Sequence, residues 1–173
     1  KLRFKGFVRA NLVDEETIRI LKELGFVEVR FGMETASARP LATIKDQPFT
    51  IAQAEKTIVL CKKYQLPVCV SFMFGIPGET EKDISCTREF LRQHRGEFSV
   101  SGFYITQPVP GSRLWDDCLE KGLVSKNMEF SSLELDLLRK DFNWERVLYL
   151  NEENISFARF RHIIELIRAE LVA

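Results

Sequence analysis

The sequence predicts an α/β fold: about four strand–helix units form a parallel-stranded part of a TIM-type barrel, with C-terminal helices behind them. Three observations predict it. An apolar run, Val68–Phe74, leads directly into a glycine-rich turn and then a helical pattern. Strand and helix patterns alternate from Gly6 to Gly122. The strand pattern of Phe26–Gly32 alternates apolar and polar side chains, although helices connect it to its neighbours.

The run Val68–Phe74 is the stretch around which the rest is organised. A short, continuous apolar run is typical of a parallel strand buried on both faces. The turn after it is Gly75-Ile76-Pro77-Gly78, and glycine lets a backbone approach a ligand closely. Ligands of parallel α/β proteins bind at the carboxyl ends of the strands. We therefore expect a ligand beside this turn.

Capping signals bound the other elements. Asp14 is a favourable N-cap, and Thr50 with Gln53 forms a capping-box pattern, as Thr80 does with Asp83. The predicted elements are, in order, a strand over Gly6–Leu12, a helix over 14–24, a strand over Phe26–Gly32, a short helix from Ser37 to about Lys45, a helix over 51–64, the strand Val68–Phe74, a helix over 81–94, a strand over Val100–Gln107 and a helix over 113–121.

The last part of the chain is less regular. Residues 123–153 form a mixed segment, with a helix predicted around Leu133–Leu138 and a short strand near Val147–Leu150. A helix over 155–171 follows, with its apolar residues on one face. We accordingly divide the chain into the barrel portion, residues 1–122, and a helical extension, residues 123–173, that packs on it.

The side-chain parity of the second strand indicates where a ligand would bind. Val29, Phe31 and Met33 point one way, and the residues between them are charged or glycine. Helices cover the apolar side of a parallel strand, so the polar side faces a lumen. A packed eight-stranded barrel fills its interior with apolar side chains. A charged lumen therefore favours a wider, partly open barrel that holds a polar ligand.

Composition excludes several classes of function. The formal net charge is +0, which provides no field to attract a nucleic-acid backbone or an anionic membrane. No apolar run approaches transmembrane length. The four cysteines, Cys61, Cys69, Cys86 and Cys118, show no metal-ligand spacing, and we expect free, mostly buried thiols from a reducing compartment. We expect the protein to be cytoplasmic. Because the sequence begins at Lys1, we interpret it as a piece of a longer protein.

Polar residues and special turns collect at the predicted carboxyl ends of the strands. They are Arg9 and Asn11, then Glu34, Thr35 and Ser37, then the turn Gly75–Glu79, and lastly Gln107–Ser112. Within this set we interpret Glu79 as a first-turn helix residue favoured by the helix dipole. The sequence contains no Ser/His/Asp arrangement, no P-loop and no GxGxxG fingerprint.

Four segments together resemble the later strands of radical S-adenosylmethionine (SAM) enzymes, in the branch with the methylthiotransferases and the cobalamin-dependent members. The segments are Arg9-Ala10-Asn11-Leu12-Val13-Asp14, VRFGMETAS, SFMFGIPGET and TQPVPGS, and the helix lengths between them also fit from Phe7 to Gly122. There are departures from the family pattern. Thr35-Ala36 stands where the family commonly has Gly after Glu-Ser, and the GxIxGxxE pattern is met only loosely.

The resemblance implies the later part of a partial barrel of six βα units. The first strand of such a barrel carries a cysteine loop that binds a [4Fe–4S] cluster, and this sequence lacks that loop. The implied cofactors are SAM and a [4Fe–4S] cluster whose ligands lie upstream; cobalamin is left open. The parent enzyme would cleave SAM reductively to a 5′-deoxyadenosyl radical, while this chain alone would be inactive.

The resemblance also implies roles for residues at the strand ends. Glu34 suits the ribose hydroxyls or the methionine ammonium of SAM, or else it pairs with Arg30 or Arg9 in the lumen. Arg9 suits the methionine carboxylate, and the turns after Phe74 and Gln107 suit adenine, although both also fit plain tight turns. The candidate cofactor-binding residues are Arg9, Asn11, Arg30, Glu34, Thr35, Ser37, Gly75, Ile76, Pro77, Gly78, Gln107, Pro108, Pro110 and Gly111. No catalytic or metal-binding residue is expected.

Two other functions stay open from the sequence. One is a degenerate barrel that acts as a binding or scaffold module, and the other is an unrelated βα-barrel metabolic enzyme with a phosphate site. The substrate, small or macromolecular, is not identified, and no membrane or nucleic-acid partner is indicated. Cutting a barrel leaves the strand Phe7–Leu12 with an unpaired edge. We expect the chain to self-associate there or to cover that edge with its tail.

Overall fold

The computed structural model describes residues 2–44, 49–129, 133 and 135–172. Within these ranges short helical turns lie at Ala10–Leu12 and Trp144–Arg146. The strands and α-helices are β1 (Phe4–Phe7), α1 (Glu15–Leu24), β2 (Phe26–Glu34), α2 (Ala38–Ile44), α3 (Ile51–Lys63), β3 (Val68–Phe74), α4 (Glu81–Gln93), β4 (Ser99–Ile105), α5 (Arg113–Glu120) and α6 (Phe157–Val172).

The four strands form one sheet in the order β1-β2-β3-β4, and every neighbouring pair is parallel. Helices connect consecutive strands, which confirms the predicted parallel α/β class. The capping predictions are also confirmed. Asp14 accepts a hydrogen bond from the Thr17 amide, and complete capping boxes join Thr50 to Gln53 and Thr80 to Asp83.

The two faces of the sheet differ as the parity of β2 predicts. One face packs against the helices: Val29, Phe31 and Met33 are buried there, and the Phe72 and Phe103 rings meet edge to face at 5.9 Å. We call the other face the open face. It carries the half-buried side chains Glu28, Arg30, Glu34, Ser71, Met73 and Tyr104, together with the alternating glycines Gly32 and Gly102.

The first strand is displaced from the predicted range Gly6–Leu12. It covers Phe4–Phe7, and the Val8 amide makes a last bond to the Arg30 carbonyl at 2.8 Å. The chain then turns through Ala10–Leu12, where the Leu12 amide bonds the Arg9 carbonyl. The Thr57 hydroxyl of α3 donates to the Ala10 carbonyl at 3.1 Å, so a tertiary contact fixes a turn that the local pattern does not reveal.

Two predictions for the mixed segment are wrong. Around Leu133–Leu138 the described residues form no helix, and Asp136 pairs antiparallel with Tyr104 of β4. The Ile105 amide bonds the Leu135 carbonyl at 2.9 Å, and the Leu137 amide bonds the Phe103 carbonyl at 2.7 Å. The edge of β4 has backbone groups that need partners, and this pairing satisfies those of Phe103 and Ile105. Near Val147–Leu150 there is a loop instead of a strand.

The last helix, α6, lies against α4. Arg159 of α6 forms a two-bond ion pair with Glu81 at 3.0 and 2.9 Å, and Arg88 of α4 bonds Glu170 at 2.9 Å through its Nε. In the part of the chain that the structure describes, β1 pairs only with β2, so no described strand pairs with its other edge, and coverage of that edge by the tail stays a prediction. Self-association through that edge stays a prediction. No described helix is long and apolar enough to cross a membrane.

Candidate functional site

The candidate site is the carboxyl edge of the sheet, where β2, β3 and β4 end together. Glu34 at the end of β2 pairs with Phe72, and Phe74 at the end of β3 pairs with Ile105. The Thr106 amide continues this pairing with a 2.8 Å bond to the Phe74 carbonyl. Because the strands are parallel neighbours, Glu34, the turn after Phe74 and the turn after Gln107 lie along the same edge, as the sequence predicts.

Glu34 turns back over the open face. It is one of two described non-glycine residues with positive φ, at 68°, a conformation that costs energy for a side-chain-bearing residue. Its carboxylate lies over Gly32, where an added Cβ would overlap the carboxylate oxygens. Gly32 therefore leaves the space that this carboxylate occupies. Tyr104 lies over Gly102 in the same way on β4.

The charged residues of the open face are arranged around Glu28. The Arg30 Nε donates to Glu28 Oε1 at 2.7 Å, and the Lys5 Nζ donates to Oε2 at 3.1 Å. These two hydrogen bonds, the one from Arg30 first, hold the pKa of Glu28 below its usual range. The predicted site residue Arg30 is thus directed towards the middle of the strand, away from its carboxyl end.

The turn Gly75–Gly78 is held by side chains from two distant segments. Both glycines have positive φ, 71° and 82°. The Gly78 amide donates to Asn151 Oδ1 at 2.9 Å, and Arg39 Nη2 donates to the Gly78 carbonyl at 2.7 Å. Ile76 is only 1% exposed, whereas Pro77 is exposed. The turn therefore presents Pro77 and the backbone of Gly78 to the surface, and Ile76 supports it from inside.

Glu79 is not a first-turn helix residue, and that interpretation is wrong. Helix α4 begins at Glu81 with Thr80 as its N-cap, so Glu79 precedes the helix. Its side chain is fully buried, and its Oε2 accepts the Gly75 amide at 2.8 Å. Burial raises the pKa of Glu79 to about 8, despite that hydrogen bond. The buried Glu79 carboxyl group thus bonds the first residue of the turn, Gly75, from the interior of the protein.

Thr35 and Ser37 lie at the site edge, but their hydroxyls contact α4. The Thr35 and Thr87 hydroxyls are 3.2 Å apart, and the Ser37 hydroxyl donates to Asp83 Oδ1 at 2.6 Å. All four side chains are buried. Burial acts to raise the pKa of Asp83, but hydrogen bonds from Ser37, Thr80 and Arg39 outweigh it and hold that pKa well below its usual range. The contacts of Thr35 and Ser37 therefore join the end of β2 to α4.

Gln107 begins the third turn of the edge, and its side chain is buried against the loop at 147–150. Its Nε2 donates to the Leu148 carbonyl at 3.0 Å, and its Oε1 accepts the Leu148 amide at 3.3 Å. Pro108 is buried, whereas Pro110 and Gly111 are exposed. Ser112 accepts the Trp115 amide and caps α5. The exposed part of this turn is thus its second half.

Arg9 and Asn11 lie at the end of β1, on the short turn Ala10–Leu12. Arg9 is exposed and Asn11 is half-buried. Since β1 and β2 are parallel, both residues belong to the same edge as Glu34. Whether any of these residues contacts a cofactor stays a prediction; the fold brings the predicted segments to one edge and directs several of their side chains inwards.

The cysteines do not form a site for an iron–sulfur cluster. All four are free; Cys61, Cys69 and Cys118 are buried, and Cys86 is exposed, as the sequence indicates. Among the described residues, no group of three or more His, Cys, Asp or Glu side chains is placed to hold a metal ion. The residues present therefore do not fit a [4Fe–4S] cluster.

Sequence reasoning misassigned one residue that shapes the site, Glu79, and missed another, Asn151. The position of Glu79 immediately before the N-cap Thr80 was a signal that it lies outside the helix. Asn151 carried no such signal. It is 1% exposed, accepts the Gly78 amide and donates to the Glu79 carbonyl at 2.7 Å, yet it comes from a segment without a readable pattern.

The fold defines the class as a parallel α/β part-barrel whose strands end along one edge. Residues 2–91 match the model of the Radical SAM superfamily, which is just over half of the chain. The chain belongs to this superfamily.

Particular relatives agree with that assignment. An uncharacterized methyltransferase of Pyrococcus horikoshii is 32% identical over 152 residues, covering 86% of this chain and 32% of the relative. The tRNA-2-methylthio-N(6)-dimethylallyladenosine synthase of Methylobacillus flagellatus is 34% identical over 89 residues, covering 50% of this chain and 20% of the relative. This chain thus spans a third or less of these relatives.

A solved structure supports the fold. The radical S-adenosylmethionine methyltransferase TsrM of Kitasatospora setae, with cobalamin and a [4Fe–4S] cluster bound, is similar with a TM-score of 0.60. The match has 21% sequence identity and covers 69% of this chain and 23% of TsrM. The sheet described above is therefore similar to part of the TsrM fold.

Proposed function

We propose that this chain supplies the ribose and adenine side of the SAM site in a radical SAM enzyme, and that another part of that enzyme binds the [4Fe–4S] cluster. The observation that carries the proposal is the carboxyl edge, which joins the Glu34 carboxylate to two glycine-containing turns. SAM, when bound beside a reduced cluster, supplies the 5′-deoxyadenosyl radical chemistry of the superfamily.

The chemistry of the edge fits the adenosyl part of SAM. Ribose hydroxyls and an ammonium group are donors, and the Glu34 carboxylate accepts from both. The surface of the Gly75–Gly78 turn lacks a side chain at Gly78, so its backbone can approach a flat base closely. Pro110 and Gly111 offer a second such surface on the neighbouring turn. Arg9 at the end of β1 is available for the methionine carboxylate.

Replacing Glu34 by glutamine tests the assignment. A hydrogen bond with a charged partner contributes about 1.5–3 kcal/mol, so we expect SAM affinity to fall on the order of tenfold or more. The measurement is an NMR titration of the ¹⁵N-labelled chain with SAM, following the amides of Glu34, Gly75 and Gly78. Ribose 5-phosphate serves as the comparison ligand, because it separates a SAM site from a sugar-phosphate site.

The matched control is Glu81→Gln, which removes an exposed carboxylate that bonds Arg159 on the outer side of α4. SAM titration of this variant should equal that of the unaltered chain. Equal SAM affinity in the Glu34→Gln variant, or shifts induced by ribose 5-phosphate but not by SAM, would contradict the assignment.

A second test leaves Glu34 in place but displaces its carboxylate by changing a neighbouring residue. An alanine at position 32 places its Cβ where the Glu34 carboxylate lies, so the flexible carboxylate must shift. We expect Gly32→Ala to weaken SAM binding severalfold, while the free energy of unfolding changes by less than ~1 kcal/mol. Gly102→Ala is the control, since it displaces Tyr104 on the same face instead. Equal losses of SAM affinity in both variants would count against a specific role for Glu34.

The reaction outcome is also a proposal. The names of the relatives, a methyltransferase and a methylthio-adenosine synthase, support transfer of a methyl or methylthio group. The cobalamin bound in TsrM supports a search for cobalamin in the complete enzyme. Because the described residues hold no cluster site, iron–sulfur reconstitution of this chain should give no stable cluster absorbance. A stable absorbance would contradict the division of roles.

A further inference from the structure

Glu79 is a buried carboxyl group without a cation of its own. Its Oε2 accepts the Gly75 amide at 2.8 Å, and its Oε1 is a buried oxygen that has no hydrogen-bond partner among the described residues. A buried, ionised carboxylate in such surroundings is costly, whereas the neutral acid is much less so. The geometry therefore favours the protonated form in the folded chain.

The groups that face Glu79 come from three elements. Asp83 on α4 is a second carboxyl group, Arg39 on α2 is the nearby cation, and Tyr149 lies in the loop before α6. Arg39 donates to Asp83 and to the Gly78 carbonyl, so its ion pair is with Asp83 and not with Glu79. Burial raises the pKa of Tyr149, which keeps that hydroxyl neutral. The two neighbouring carboxyl groups thus differ in protonation state: Asp83 is ionised and Glu79 is neutral.

We propose that Glu79 is a positioning residue that acts as a neutral carboxylic acid: it ties Gly75 to the start of α4, and loss of its proton loosens the Gly75–Gly78 turn and weakens binding of the adenosyl group. The effect on adenosyl binding rests on the proposed SAM site. The neutral state of Glu79 and its hold on the turn concern only the chain itself, so the two claims can fail separately.

The direction of the pH effect follows from proton binding. Below the ordinary carboxyl value of 4.5, Glu79 is protonated in both the folded and the unfolded chain, and its contribution to stability is complete. Between 4.5 and about 8 only the folded chain keeps the proton, so stability declines as the pH rises. Above about 8 the turn contains a buried charge that has no cation partner of its own among the described residues.

The experiment is an NMR pH titration from about pH 3.5 to about pH 9.5 of the ¹³C-labelled chain and of its Glu79→Gln variant. In the unaltered chain we expect the Glu79 carboxyl carbon and the Gly75 and Gly78 amides to titrate together near pH 8. Glu79→Gln keeps an acceptor for the Gly75 amide but cannot ionise, so the glycine amides should lose that transition. The exposed control Glu81→Gln should retain it.

The same two proteins, the unaltered chain and the Glu79→Gln variant, are then titrated with SAM. If binding needs protonated Glu79, the apparent Kd of the unaltered chain for SAM should rise about tenfold between pH 7 and pH 9, and that of Glu79→Gln should stay constant. A Glu79 carboxyl carbon that titrates near 4.5 would overturn the inference, and it does so even if the variant fails to fold. Titration of the turn near pH 8 without SAM binding at any pH would uphold the neutral acid and overturn the SAM site.

Discussion

Replacing Asn151 by alanine is expected to destabilise the chain by about 2–4 kcal/mol and to release the Gly75–Gly78 turn. The amide of Asn151 accepts the Gly78 N–H at 2.9 Å and donates to the Glu79 carbonyl at 2.7 Å. Alanine leaves both backbone groups without these partners in a site that is almost fully buried. Urea denaturation measures the loss, and amide hydrogen exchange at Gly78 measures the release of the turn.

Asn154→Ala is the matched control for this prediction. Asn154 donates one hydrogen bond to Asn151 Oδ1, at 2.9 Å, and the residue is exposed. Its removal should cost about 1 kcal/mol or less and leave Gly78 exchange unchanged. If the Asn151 variant were as stable as the Asn154 variant, the hydrogen bonds of Asn151 would not be what holds the turn.

Replacing Phe160 by alanine is expected to cost about 3–5 kcal/mol. Phe160 is completely buried, and its ring stacks on Tyr149 at 4.7 Å and meets Trp144 edge to face at 6.2 Å. It also lies directly beside Gly75, so it joins α6 to the carboxyl edge of the sheet. The expected result is a lower denaturation midpoint together with a changed Gly75 environment.

Leu166→Ala is the control on the same helix, because Leu166 is 43% exposed. We expect this variant to change stability by about 0.5 kcal/mol or less. Equal effects of the two substitutions would contradict a specific contribution of the buried Phe160 ring. A Phe160 variant with normal stability would contradict the packing of α6 against the site.

The parts of the fold that sequence predicts are those that local pattern decides. Side-chain alternation predicts strand β2, and a continuous apolar run predicts strand β3. The caps Asp14, Thr50 and Thr80 mark helix starts because their side chains satisfy amides within one turn. The common edge then follows from the parallel order of the strands alone.

The parts that sequence does not predict depend on distant contacts. The short turn after β1 is fixed by Thr57, and residues 135–137 bond to the edge of β4 instead of forming a helix. A run with several leucines fits a helix equally well until that edge is known. Asn151 lies 73 residues from the glycine that it binds, so no local pattern could connect them.

The C-terminal segment therefore contributes to the site. Asn151, Tyr149 and Phe160 all contact the turn or its surroundings, and Leu148 satisfies the Gln107 amide. This segment carries no recognisable sequence motif, yet its residues contact two of the turns of the carboxyl edge. Variants that shorten the chain before Asn151 should lose the ordered turn along with α6.

The central claim is that the carboxyl edge holds the adenosyl group, and intermolecular nuclear Overhauser effects test it most directly. With SAM added to the labelled chain, the account predicts contacts from the ribose H1′ and the adenine H2 and H8 protons to Glu34, Pro77, Gly78 and Gly111. Contacts that instead map to the opposite end of the sheet, around Arg95 and Phe98, would contradict it.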